Sequence, residues 1–178
     1  MGTASRHKPV KLITGFIFGQ VSLLRQAERA LTRKFGRVDF ESPILPFSCY
    51  TDYYEKEFGK NLKRKFVSFE KLISAQDIAK IKALTNQIEL QLARKTKKLS
   101  PRRRVNIDPG YLDLSKLILA TTKDFTHRIY LEKGIFAEVT LFYRQGSYRG
   151  WEWTYPDYRT SEYIRIFNQI RQIYSRQI

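Results

Sequence analysis

The chain has 178 residues, enough for one domain with a substantial core, and 42% of them are hydrophobic, which excludes a largely disordered protein. Lys and Arg outnumber Asp and Glu by 33 to 17, so the formal net charge is +16 at pH 7. The chain has no run of about 18 apolar residues and no signal-peptide pattern, so we expect a cytoplasmic protein without a membrane anchor. Cys49 is the only cysteine and there are two histidines, which excludes a Cys- or His-rich metal cage.

The first half of the chain alternates strand and helix patterns. Continuous or alternating apolar residues indicate strands, and apolar spacing of 3.6 residues indicates helices. The predicted elements are strand 10–18, helix 21–35, strand 37–41, strand 63–70, helix 78–92 and strand 105–108. This order is the split βαβ pattern of ferredoxin-like folds. The turn sequence Asp108-Pro109-Gly110 is expected to end the last of these strands.

The remainder of the chain predicts one short helix, a β-hairpin and a long final helix. The predicted elements are a helix over 114–118 capped by Asp113, paired strands over 128–131 and 135–143, and an amphipathic helix over 163–174. We therefore expect an α+β fold with a mixed sheet, ferredoxin-like split βαβ units and a C-terminal hairpin and helix. Residues 1–9 are expected to form a flexible basic N-terminus, and residues 10–178 a single domain.

The positive charge is concentrated in the first part of the chain. Residues 1–105 hold 23 Lys and Arg against 9 Asp and Glu, whereas residues 106–178 hold 10 against 8. Such a field attracts polyanions, and clustered cations gain affinity by releasing the counterions of phosphates. The candidate nucleic-acid-binding residues are Lys63, Arg64, Lys65, Lys97, Lys98, Arg102, Arg103 and Arg104. The alternatives are a solvated basic loop and a composition that favours Lys and Arg for solubility.

A second candidate site lies in the C-terminal half, where charged residues fall at the ends of predicted elements. Ligands often bind at such positions in α/β proteins. The candidate catalytic residues are Asp108, Lys123, His127, Arg128, Glu138 and Asp157. Carboxylates brought together would raise one another's pKa or recruit a divalent cation, whereas a Lys or Arg among them would hold them ionised. The alternative is a structural ion pair, with the aromatic residues of 144–159 packing the last helix or stacking on single-stranded nucleic acid.

Several runs of uncommon residues stand out. They are Asn106–Leu112, Thr122-Lys123, His127–Leu131 and Trp153–Tyr158, with Lys116, Ala120 and Glu138 between them and Phe47, Thr51, Tyr53-Tyr54-Glu55, Glu57 and Gly59 before them. From residue 9 to residue 174 the chain resembles an uncharacterised prokaryotic family described as a domain of unknown function. Members of that family are sometimes labelled GTP-binding. This chain lacks a phosphate loop and an Asn-Lys-x-Asp guanine motif, so no phosphate-loop nucleotide site is expected.

The leading hypothesis is a cytoplasmic protein that binds nucleic acid or another phosphate-rich ligand, with RNA or DNA as its partner. One alternative is an enzyme that uses the polar residues of the C-terminal half. Another is a structural or assembly partner without a small ligand. The sequence leaves the cofactor and any metal open.

Overall fold

The computed structural model describes residues 2–48, 60–94 and 103–178, and within these ranges nine strands form one antiparallel sheet. The strands are β1 (Lys11–Phe18), β2 (Val38–Glu41), β3 (Leu45–Pro46), β4 (Lys63–Phe69), β5 (Val105–Leu112), β6 (Lys116–Thr121), β7 (Ile129–Glu132), β8 (Ile135–Arg144) and β9 (Ser147–Gly150). The helices are α1 (Val21–Phe35), α2 (Ile78–Arg94) and α3 (Ser161–Ser175), and the last two follow 3-10 turns at Ala75–Asp77 and Asp157–Arg159.

The predicted α+β fold is confirmed, including its split βαβ order, but the described sheet is antiparallel rather than mixed. The sheet runs β2-β4-β1-β5-β6-β8-β7, with β3 paired to β4 and β9 paired to β8. The segment β2-β4-β1-β5 is the order of a ferredoxin-like sheet, in which each βαβ unit leaves room for a strand of the other. Strands β3 and β9 are short additions that the sequence patterns did not predict. None of the helices in the described ranges has the length and apolar character needed to cross a bilayer.

Helices cover both faces of the sheet, and β1 lies between them. Leu12 and Phe16 of β1 pack in one core cluster with side chains of α1 and α2. Ile13 packs on the other face with Phe167 and Ile170 of α3. Because successive side chains of a strand point to opposite faces, a strand covered on both sides must be apolar throughout. This explains the unbroken apolar run that predicted the central strand.

The predicted turn at Asp108-Pro109-Gly110 is wrong, because β5 continues through it to Leu112. Pro109 is opposite Thr14 of β1, and pairing of β5 with β6 begins only at Gly110. Proline is tolerated in a strand where its missing N–H interrupts no ladder hydrogen bond. At Gly110 the carbonyl of Ile118 lies where a Cβ would be, so this close strand contact requires glycine.

The predicted helix over 114–118 is also wrong, since most of this segment belongs to β6. Leu117, Ile118, Leu119 and Ala120 are all buried, as in a strand covered on both faces. The side chain of Asp113 caps a turn rather than a helix. Its Oδ1 accepts hydrogen bonds from the backbone N–H groups of Ser115 and Lys116 at 2.6 and 2.8 Å. An Asp side chain stabilises tight turns and helix N-termini by the same hydrogen bond to a following backbone N–H. An Asp in the sequence is therefore compatible with either structure.

Candidate functional site

A cavity of about 540 Å³ opens where β5 and β6 separate. The two strands pair only from Gly110 to Leu112, opposite Leu119 to Leu117. Before Gly110, β5 stays with β1 and leaves β6, so a gap opens in the sheet. The lining comes from several elements: Arg64, Lys82, Glu89, Arg103, Asn106, Asp108, Leu119, Thr121, Thr122, Lys123, Arg128, Glu138, Tyr155, Asp157 and Tyr158, among others.

Side chains of α2 replace the missing strand partner of Ile107. The backbone N–H of Ile107 donates to Glu89 Oε1 at 2.6 Å, and Lys82 Nζ donates to the Ile107 carbonyl at 3.0 Å. Buried backbone groups must be hydrogen-bonded, so these two charged residues have a structural reason to be buried. Lys82 and Glu89 also reach further groups. Lys82 Nζ lies 3.6 Å from Asp108 Oδ1, and Arg103 donates to Glu89 Oε2 at 3.1 Å.

Arg64 of β4 is the centre of an inner polar cluster, which we define as Arg64, Lys82, Asp108, Asp157 and Tyr158. Its guanidinium donates to Asp108 Oδ2 at 3.2 Å and to the Tyr158 hydroxyl at 2.6 Å. Its Nη2 also lies 4.0 Å from Asp157 Oδ2. The Arg64 side chain is 3% exposed. Its Nε has no hydrogen-bond partner among the described residues, so this buried cation retains an unused donor.

The two carboxylates that share Arg64 differ in their proton affinity. Burial acts to raise the pKa of Asp108, but Lys82 and Arg64 outweigh it, and the pKa falls below its ordinary value of 3.8. For Asp157, burial dominates over the attraction of Arg64, and the pKa is raised. Burial likewise raises the pKa of Glu89 against the effect of Lys82. The inner cluster therefore holds one firmly ionised carboxylate next to another that binds a proton more readily.

A second group of polar residues, the outer cluster, consists of Glu138, Arg128, His127, Thr140 and Tyr155. Arg128 Nε donates to Glu138 Oε2 at 2.8 Å, and His127 Nε2 lies 3.3 Å from the same oxygen. Thr140 donates to Glu138 Oε1 at 3.0 Å. The guanidinium of Arg128 also donates to the Tyr155 hydroxyl at 2.8 Å. These contacts join β8 to the two segments that precede β7 and α3.

Aromatic rings hold the outer cluster in place. His127 stacks on Trp153 with ring centroids 5.4 Å apart, and Trp153 stacks on Trp151 at 5.2 Å. Trp153 also donates from its ring nitrogen to the Val139 carbonyl at 3.4 Å. Because the three rings stack on one another, the faces between them are occupied. The column therefore positions His127 against Glu138, while Trp151 and Trp153 themselves remain 37% and 42% exposed.

The structure brings most of the candidate catalytic residues to one cavity. Asp108, Lys123, Arg128, Glu138 and Asp157 all line it. They fall into the two clusters, with Asp108 and Asp157 around Arg64 and with Arg128 bound to Glu138. His127 is not part of the lining, but it contacts Glu138 from behind. The catalytic role of these residues stays a prediction.

The candidate nucleic-acid-binding residues lie in different environments. Arg64 lines the cavity, and Lys65 is bound to Glu28 and Glu41 at 2.7 Å each. Arg103 pairs with Glu89, while Lys63 and Arg104 are half-buried. The other candidates, Lys97, Lys98 and Arg102, lie outside the described residues. Cys49 also lies outside them. The described members thus hold more internal ion pairs than their sequence suggested.

Sequence reasoning missed the contribution of α2 to the cavity. Lys82, Asn86 and Glu89 recur at intervals of four and three residues, next to the apolar stripe of the helix, and all three line the cavity. This spacing was a usable signal for a polar face. Within the described ranges, no cluster of three His, Cys, Asp or Glu residues is arranged to hold a metal ion.

The model of the family described as "Domain of unknown function (DUF4416)" matches residues 8–174. The predicted family resemblance is thereby confirmed, and the match includes both clusters. No curated protein and no solved structure matches the chain.

Proposed function

Because the chain belongs to the DUF4416 family, a domain of unknown function, we propose a function from its cavity: it binds a small organic molecule that carries a phosphate or carboxylate group. The observation that carries this proposal is the convergence of Arg64, Lys82, Asp108 and Asp157 in one cavity between β5 and β6. A cavity of about 540 Å³ with both charged and apolar walls lies within the size range of small-molecule sites, roughly 300–1,000 Å³.

Charge favours an anionic ligand. The lining contains five cations, Arg64, Lys82, Arg103, Lys123 and Arg128, and four acids, Glu89, Asp108, Glu138 and Asp157. The whole chain carries a net charge of +16, and the resulting electrostatic field draws anions towards the protein. A cation of the lining that meets the anion offers a charge-assisted hydrogen bond, which is about twice as strong as a neutral one.

The walls of the cavity indicate a ligand with an apolar or planar part. Phe47, Leu119, Ala120 and Tyr158 contribute apolar surface beside the charged groups. Small-molecule sites commonly combine such walls with a few polar groups that fix orientation. A ligand with a phosphate or carboxylate on a ring or a short carbon skeleton would fit both the charged groups and the apolar walls of the cavity.

The first experiment is native mass spectrometry of the purified chain, followed by NMR titration with phosphorylated and carboxylated metabolites and their neutral analogues. The amide signals of residues around the cavity should shift with the charged compounds and remain still with the neutral ones. Lys123→Gln should weaken binding roughly tenfold or more, because a hydrogen bond to a charged group is lost. Lys71→Gln is the matched control, since Lys71 is exposed and lies outside the lining.

A blocking variant completes this test. Thr122 is exposed and lines the cavity, so Thr122→Trp should fill the entrance and abolish binding without loss of stability. Charged compounds that bind wild type and Thr122→Trp equally would place their site elsewhere and overturn the proposal.

A second candidate function is an enzyme that uses the inner cluster for acid–base chemistry. The specific observation in its favour is the opposite pKa shift of Asp108 and Asp157, which contact the same guanidinium. Paired carboxylates with separated pKa values supply one fixed charge and one group that exchanges protons. Carboxyl-carbon NMR should show Asp157 titrating above, and Asp108 below, the ordinary value of 3.8. Identical titration of both groups would contradict the acid–base assignment.

Nucleic-acid binding and a cytoplasmic location also remain proposals for this chain. The net charge of +16 supports the first of these two proposals.

A further inference from the structure

A stripe of arginines runs along the exposed side of α1. Arg25, Arg29 and Arg33 are all exposed and are spaced by four residues. One helical turn therefore separates neighbours, a distance of about 6 Å along the axis. Lys34, also exposed, extends the positive charge at the end of the helix. The arginines line an open surface groove together with Glu28 and Thr32, and this groove shares no lining residue with the cavity.

Within the described part of the chain, the three arginines of the stripe are left without an ion pair. None of the three arginines forms an ion pair with a described residue. The one acid on α1, Glu28, is bound to Lys65 of the sheet, with Glu28 Oε1 and Lys65 Nζ 2.7 Å apart. The first turn of α1 also has no acidic residue.

Among the three arginines, only Arg33, in the last turn of α1, is favourably placed with respect to the helix dipole. Like charges at positions i and i+4 destabilise a helix by about 0.2–0.5 kcal/mol per pair, and the stripe contains two such pairs. Folding would be served better by Glu or Gln at one of these positions. A stripe of exposed cations that contains two like-charge pairs and forms no ion pair within the described structure is typical of a surface that meets a polyanion.

The partner is better matched by nucleic acid than by a membrane. A helix that lies on a bilayer needs a free apolar face to insert below the headgroups. The apolar side of α1 is already taken, because Leu24, Ala27 and Leu31 are buried against the sheet. What α1 presents to solvent is charge at regular spacing, which suits a phosphate backbone.

We propose that the exposed face of α1, through Arg25, Arg29 and Arg33, binds the phosphate backbone of nucleic acid. This surface is separate from the cavity and does not depend on its ligand. Binding is non-specific in sequence, since phosphate contacts carry no base information. It is steeply salt-dependent, because each neutralised phosphate releases counterions.

The test compares two triple variants by fluorescence anisotropy with labelled single-stranded RNA, single-stranded DNA and duplex DNA at 50–200 mM salt. The first variant changes Arg25, Arg29 and Arg33 to Gln. The second changes Arg144, Arg165 and Arg176 to Gln; these are also exposed but lie on β8 and around α3. Both triples remove three charges from the same net charge of +16. Any difference between them therefore reports the position of the charges.

For the α1 triple we expect the slope of log K against log salt to become shallower by about 2–3 for three lost phosphate contacts. The control triple should keep the wild-type slope. Replacing the same three arginines by Lys should restore most of it, because the slope counts charges. Circular dichroism should show unchanged helix content in every variant, since all six positions are exposed.

Three results would overturn the proposal. Equal slopes for the two triples would mean that only net charge matters. If the wild-type protein bound none of the three nucleic acids at 50 mM salt, the protein would have no nucleic-acid binding for the stripe to explain. Binding to anionic phosphatidylserine vesicles, lost in the α1 triple and absent for the oligonucleotides, would assign the stripe to a membrane. A failure of small-ligand binding at the cavity leaves each of these readouts unchanged.

Discussion

The arginine at the cavity and the arginines on α1 carry the same charge in opposite circumstances. Arg64 is buried, and its guanidinium contacts Asp108, Asp157 and Tyr158. Arg29 and its neighbours are exposed, with no ion pair among the described residues. The first kind of cation is bound into the fold, and the second is free to meet an external anion. The count of 33 Lys and Arg therefore overstates the number of cations on offer to a polyanion.

Buried and exposed arginines also differ in what their removal costs in folding free energy. Removing one member of a buried ion pair leaves an uncompensated charge in a medium that solvates it poorly. Removing an exposed charge changes little, because water already screens it. Replacing Arg64 should therefore lower the free energy of unfolding far more than replacing the arginines of α1. Replacing the arginines of α1 should instead have the larger effect on the salt dependence of polyanion binding.

The largest effect is expected for Arg64→Gln. The substitution leaves Asp108 and Asp157 close together without their shared cation, and about 3–5 kcal/mol of unfolding free energy should be lost. Urea denaturation followed by circular dichroism measures this, with Arg33→Gln as the exposed control. A loss below about 1 kcal/mol, similar to a surface substitution, would break the comparison.

Glu138→Gln tests whether the outer cluster resembles the inner one. Gln keeps the size of the side chain but removes the charge that accepts from Arg128 and His127, so roughly 2–3 kcal/mol should be lost. The loss is smaller than for Arg64 because Arg128 retains its bonds to Tyr155 and to the Lys123 carbonyl. Urea denaturation against Glu152→Gln, an exposed acid, isolates the contribution of the cluster.

Asp108→Asn should cost about 1–2 kcal/mol at pH 7, since the Asp108 side chain is 25% exposed and its ion pairs are partly screened. The pKa of Asp108 in the folded protein lies below its ordinary value of 3.8. Its ionised form therefore contributes stability above the unfolded-state pKa, and this contribution disappears as the pH falls through the folded-state pKa. The difference between wild type and Asp108→Asn should shrink below about pH 4. A difference that stays constant from pH 7 to pH 3 would contradict the ion-pair account.

The smallest effect on stability is expected for the α1 triple, Arg25, Arg29 and Arg33 to Gln. Its unfolding free energy should stay within about 1 kcal/mol of wild type, because the relief of two like-charge pairs offsets the loss of Arg33 from the last turn of α1. Thermal unfolding at low and high salt gives the measurement, and any gain should vanish at high salt through screening. A loss of more than about 1 kcal/mol would show that the stripe stabilises the fold, and it would remove the contrast with Arg64.

The structure explains which site residues local patterns could find. Asp157 begins a 3-10 turn and Glu138 lies in a strand where it needs an ionic partner, so their residue types and positions were informative. Asp108 was selected for a wrong reason, because it lies in the middle of β5 and not at its end. Lys82 and Glu89 follow a helical spacing, but their targets are the backbone groups of Ile107, 18 or more positions further along the chain. Only the separation of β5 from β6 creates that need. The sequence gives no local sign of such a separation.

Strand and helix periodicity determined the first six elements and their split βαβ order, because burial on one or both faces is imprinted on residue spacing. The same kind of spacing wrongly predicted a helix over 114–118. The apolar residues of this segment that fit a helix belong instead to β6, a strand covered on both faces. Composition determined the net charge, whereas tertiary structure decided which cations remain exposed. That division depends on long-range ion pairs, such as Lys65 with Glu28 and Arg64 with Asp108, whose partners are 37 and 44 positions apart. A sequence specifies how many charges a protein carries, but only the packing of distant segments determines which of them are neutralised.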